Sequence, residues 1–224
     1  MTENNSLLSG ITRIAWGFVF ILFNFSINEI DLIPDFIGYI SVAMGIVCIG
    51  DILGHLKLLK PLSVILSVWT AIMWFSEALT LTSLLSAGYA SAVMGYLSTA
   101  MQVVVLIFTI ALLTDLSTVA VKHQKADGNL DRKLIVARNI YAVCYSVNIG
   151  MSLAALLTKN VYPSIFTGLL TALSIASAIV MFVTMIIILI ALFSLRKTIK
   201  DSQTATLSAT YNIPPFETED PKNT

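Results

Sequence analysis

Six apolar runs, at about 11–27, 33–50, 62–82, 89–114, 136–157 and 164–195, leave few folds open to this chain. Each is near or above the length of about 20 residues that an α-helix needs to cross a hydrocarbon core about 30 Å thick. In lipid the backbone must satisfy its own hydrogen bonds, which leaves helices or closed barrels. The runs are filled by Leu, Ile, Val and aromatics without the alternation of a barrel strand, so helices are expected. Composition agrees: 57% of the 224 residues are hydrophobic and 12% charged, against about 45–50% and about 25% in ordinary soluble domains. Too little polar surface remains to coat a soluble globule. The expected fold class is an all-α integral membrane protein of six transmembrane helices arranged as three hairpins.

Charge placement sets the orientation. Of the 13 lysines and arginines, only Lys159 falls on one side of the six spans. The others (Arg13; Lys57 and Lys60; Lys122, Lys125, Arg132, Lys133 and Arg138; Arg196, Lys197, Lys200 and Lys222) share the opposite side. Cytoplasmic loops carry the excess of Lys and Arg. Both termini are therefore expected in the cytoplasm, in a bacterial cell membrane. Residues 1–10 read as a short N-terminal segment and 11–200 as the transmembrane domain. The polar tail 201–224, with Pro214 and Pro215, reads as disordered. The largest loop is expected over 115–135, with a turn at Ala126-Asp127-Gly128-Asn129. The first run has no small-x-small cleavage site after it and reads as a retained helix. The sixth is too long for one upright crossing, so it tilts or leaves the hydrocarbon at one end.

Small residues suggest how the helices pack. Gly38, Ser41, Gly45 and Cys48 lie near one face of the second run, and Ala92, Gly95, Thr99 and Gln102 near one face of the fourth. Small side chains let helix backbones approach closely where lipid removes the hydrophobic drive. The stretch from Gly38 to Val47 matches Gly95 to Val104 at six of ten positions. That suggests a repeat relating the first hairpin to the second, or chance among apolar segments of similar composition.

Few polar groups lie within the spans. Glu77 is a costly intramembrane acid with no Lys or Arg in any span to pair with it. It reads as a proton- or cation-handling carboxylate, or as an acid near enough the outer end to reach water. Asn24, Gln102 and Asn148 complete the candidate intramembrane polar site, and each also suits plain interhelical hydrogen bonding. A candidate external acidic site comprises Glu29, Asp31 and Asp35. Asp31 is positioned to cap the second helix, with Pro34 in its first turn and Asp35 favouring the positive end of the helix dipole.

The pattern Asp31-x-x-Pro34-Asp35-Phe36-Ile37-Gly38-Tyr39, entered from an aromatic-rich helix, resembles a group of small multi-spanning membrane proteins of Gram-positive bacteria. The likeness covers mainly residues 13–50 and implies no assigned activity. Residues 30–37 are also similar to a motif of small membrane-associated bacterial proteins, but the acidic pair that follows there is missing.

Enzymatic function is not expected, because no His-Glu-x-x-His, Gly-x-Ser-x-Gly or phosphate-binding glycine loop occurs. His55 and His123 read as interfacial residues in cytoplasmic loops. Cys48 and Cys144 fall in apolar runs and read as packing residues, so neither metal nor cofactor is expected. The expected partners are the lipid bilayer and, in addition, another membrane protein or a second copy; nothing suggests nucleic acid. Two functions remain. One is a non-catalytic accessory, sensor or immunity-type membrane component. The other is a small transporter, channel or permease using an intramembrane carboxylate. Where the span polar groups point separates them: one shared wet cavity favours transport, and a dry bundle with paired groups favours the accessory.

Overall fold

The computed structural model describes residues 3–22, 26–27, 30–31, 34–78, 89–124, 128–158 and 164–211. Among the described residues six α-helices carry the chain: α1 (Glu3–Leu22), α2 (Asp35–Cys48), α3 (Leu56–Ala78), α4 (Tyr89–His123), α5 (Leu130–Thr158) and α6 (Ser164–Tyr211), with a 3-10 turn at Gly50–Ile52 between α2 and α3. A two-residue antiparallel pairing, Ser26–Ile27 with Ile30–Asp31, joins α1 to α2. Four helices, α3 to α6, are long and apolar enough to cross a membrane. The apolar stretches of α1 and α2, Ser6–Leu22 and Asp35–Cys48, are shorter.

The helices pack in sequence order, and α6 returns against α1 to close a ring. At the closure, Arg196 Nε donates to Thr12 Oγ1 at 3.0 Å, and Trp16 meets Phe193 edge to face with ring centroids 6.0 Å apart. The fully buried residues concentrate at one end of the ring. They include Leu7, Ile11 and Ile14 of α1, Leu112, Leu113 and Leu116 of α4, Leu134 and Ala137 of α5 and Ile188, Leu192, Leu195 and Ile199 of α6. Beyond that core large apolar side chains face outward, among them Val93 of α4, Val143 of α5 and Ile179 of α6, each more than 60% exposed. Such a surface would aggregate in water and is ordinary against lipid.

The helix ends differ from the hydropathy boundaries. α4 runs on to His123 and α5 starts at Leu130, so the expected 115–135 loop contracts to a short connection. Gln124 closes it: its Oε1 accepts the Leu130 N–H at 3.0 Å, and its Nε2 donates to Asp131 Oδ1 at 2.9 Å. This satisfies donors that a helix start leaves orphaned. α6 continues as helix through 201–211, where disorder was expected; residues 212–224 lie outside the described residues. Hydropathy reports contact with lipid, whereas these polar extensions are helical because their backbones continue an existing ladder.

The tightest contact joins α1 and α2 through four glycines. A Cβ on Gly45 would lie 2.7 Å from the Gly10 carbonyl oxygen, and one on Gly10 would lie 2.9 Å from that of Gly45. A turn pair further along, a Cβ on Gly38 or Gly17 would lie 2.7 Å from the other's carbonyl oxygen. Ser41 Oγ donates to the Arg13 carbonyl between them at 2.9 Å. Seven residues separate the glycines in each helix, two turns, so both pairs fall on one seam. Gly95, the counterpart of Gly38 in the suggested repeat, instead faces the tip of Leu156 on α5. The matched segments therefore face different neighbours, and the similarity does not extend to packing.

Candidate functional site

Gln102 of α4 and Asn148 of α5 meet in one cavity of ≈ 390 Å³. The other walls are the end of α1 (Ile21 and Leu22) and α6 (Met181, Phe182 and Met185), with Tyr141, Tyr145 and Ser152 of α5 beside Asn148. The space lies beside the end of the buried core, where Phe108, Tyr141 and Ser177 are the outermost buried residues of α4, α5 and α6 among the described ones. Each polar wall group is uncharged: two amides, two phenols and a hydroxyl. Helical spacing accounts for the α5 wall, since 141, 145, 148 and 152 follow one face.

The two amides differ in their bonding. Asn148 Nδ2 lies 2.6 Å from Ser177 Oγ, 3.0 Å from the Cys144 carbonyl and 3.2 Å from Met181 Sδ. Asn148 thus ties α5 to α6. Gln102 Oε1 is buried and has no hydrogen-bond partner among the described residues. An unpaired buried acceptor costs about 1–3 kcal/mol, so this oxygen is suited to accepting a donor from a molecule in the cavity. Tyr141 and Tyr145 stack at 5.1 Å between ring centroids, and a side-chain hydrogen bond joins Tyr141 to Thr109.

The other candidates are distributed differently. Glu77 belongs to the last turn of α3, and its side chain is outside the described residues, as are Asn24 and Glu29. Asp31 lies in the short pairing with Ser26 rather than at a helix start. Pro34 is the N-cap of α2, in extended backbone, with no side-chain capping bond, and Asp35 is the first helical residue. The N-cap position expected for Asp31 is thus held by Pro34, and the Asp31 side chain lies outside the described residues. Gly38, Ser41 and Gly45 line the α1–α2 seam described above, and Gly95 packs on α5.

One acid escaped the sequence reading. Asp115, taken there as the start of a loop, sits within α4 and is 5% exposed. Its Oδ2 accepts the backbone N–H of His55 at 2.9 Å, and its Oδ1 lies 2.6 Å from His55 Nδ1. His55 immediately precedes α3, and its carbonyl accepts the N–H groups of Leu58 and Leu59 at 2.9 Å. The carboxylate therefore fixes the start of α3, and His55 is not a plain interfacial residue. The only sequence signal for this is an acid placed directly after an apolar run. No protein-family model, curated protein or solved structure matches this chain.

Proposed function

We propose that this chain is a six-span membrane protein with both termini in the cytoplasm of a bacterial cell, and that it binds a small uncharged polar solute in the manner of a permease. The observation that carries this reading is the convergence of Gln102 and Asn148 on one cavity, with the Gln102 oxygen left unpaired. Its volume falls in the range of about 300–1,000 Å³ common for small-molecule sites. The absence of a charged group among its described lining residues favours a neutral hydrogen-bonding ligand over an ion. With the expected orientation, the cavity lies in the outer half and the buried core closes it toward the cytoplasm. In this reading α1 and α2 complete the six crossings despite their shorter apolar stretches.

The accessory reading draws support from Asn148, whose amide is already engaged as a tie between α5 and α6. Water access separates the two. In a background carrying Cys48→Ala and Cys144→Ala, Gln102→Cys and Ser152→Cys are expected to react with a membrane-impermeant thiol reagent applied outside intact cells. Asn160→Cys serves as the external reference. Protection of both cavity positions while the reference reacts would leave the accessory role. A silent reference would overturn the orientation.

A further inference from the structure

We infer that the groove between α2 and α3 is a binding site for one acyl chain of an anionic phospholipid, with Arg13 and Lys60 holding its phosphate. The groove encloses ≈ 710 Å³. Its walls follow two helical faces, Phe36, Ile40, Met44 and Val47 on α2 and Val64, Val68 and Ala71 on α3. From Phe36 to Cys48 the wall rises about 18 Å, comparable to one leaflet of a hydrocarbon core about 30 Å thick.

The polar atoms along the groove do not compete for a ligand. Ser63 Oγ donates to the Lys60 carbonyl at 2.8 Å, and Ser67 Oγ donates to the Ser63 carbonyl at 2.7 Å. The hydroxyls are thus folded onto their own helix, and the wall presents carbon. Both cations line the groove, Arg13 beside Cys48 at the end of α2 and Lys60 in the first turns of α3. Arg13 Nη1 is 3.5 Å from Cys48 Sγ, and neither Arg13 nor Lys60 forms an ion pair among the described residues. Two uncompensated cations at the head of a carbon-lined slot one leaflet long match an amphiphile with a negative head. Basic pockets between membrane helices recognise anionic headgroups in this way. A zwitterionic lipid would fill the slot but bring its own cation beside its phosphate, and so offer the two charges no net counter-charge. On the expected orientation the headgroup end faces the cytoplasmic leaflet.

Native mass spectrometry of the full chain in mild detergent tests the assignment, with phosphatidylglycerol and phosphatidylcholine of equal chain length supplied in equal amounts. Preferential retention of phosphatidylglycerol, on the order of tenfold, is expected. Arg13→Gln combined with Lys60→Gln should remove the preference while leaving some retention of either lipid. Ala71→Trp should reduce retention of both lipids with the cations intact, which separates slot filling from charge. Equal retention of the two lipids by the unmodified chain would overturn the inference. So would a preference that survives the double substitution. A lipid-free dimer that Ala71→Trp dissociates would instead give the groove to a second copy.

Discussion

Leucine in place of Gly45 is expected to abolish folded protein in the membrane, and alanine there to destabilise it measurably. A Cβ at position 45 would meet the Gly10 carbonyl at 2.7 Å, the Ile14 Cγ1 at 2.6 Å and the Ile14 backbone nitrogen at 3.1 Å. Backbone atoms cannot rotate away as a side-chain tip can, so α1 and α2 must separate along the whole seam. Overpacking of this kind costs about 1–3 kcal/mol for a small increment, and a branched side chain adds far more bulk. Thermal unfolding followed by size-exclusion chromatography in detergent checks this. Gly150→Ala is the control, because nothing lies within 4 Å of its added Cβ. That variant should lose nothing and gain up to about 1 kcal/mol of helix propensity. Undisturbed folding of Gly45→Leu would mean that the helices do not meet at these glycines.

Asp115→Ala carries the second large effect. It removes an acceptor from the His55 backbone and another from the His55 ring, both at a site where Asp115 is nearly sealed from solvent. Hydrogen bonds to charged groups contribute about 1.5–3 kcal/mol each, so a loss of roughly 3 kcal/mol is expected, discounted for the half-exposed histidine. Asp115→Asn keeps one acceptor for the backbone N–H and should lose less. His55→Ala spares that backbone bond and leaves Oδ1 unpaired, an intermediate case. A double-mutant cycle over the pair isolates the side-chain share. Additive losses from His55→Ala and Asp115→Ala would show that the ring and the carboxylate act separately.

Hydropathy located the helices because lipid demands about 20 apolar residues of each crossing, and α3 to α6 satisfy that demand. It misplaced their polar ends. Residues 115–123 and 196–211 carry charge, which a transfer scale reads as loop, yet they continue a hydrogen-bond ladder at little cost. Asp115 was unreadable for the same reason: its partner lies 60 residues away, in the turn before α3. Gln102 and Asn148 were conspicuous as polar residues in apolar runs. That they share a cavity depends on how α4, α5 and α6 pack against one another and α1, which no local pattern encodes. The glycine seam was half visible. Gly38 and Gly45 stood out, but Gly10 and Gly17 repeat the same seven-residue interval in α1, and only matching the two intervals pairs the helices.

The brevity of α2 bears on the bilayer itself. Its 14 residues rise about 21 Å, well short of a typical hydrocarbon thickness of about 30 Å. A long helix escapes such a disparity by leaning over, and a short one by drawing the two lipid surfaces toward each other, by reaching outward with flanking side chains or by associating with other helices. Locked to α1 along its glycines, α2 has no freedom to shift in depth on its own. As one of the six proposed crossings, α2 would leave the adjustment to the lipid beside it. On that arrangement the chain would draw the bilayer into a local dimple, which thinner or more compressible membranes accommodate at lower energy.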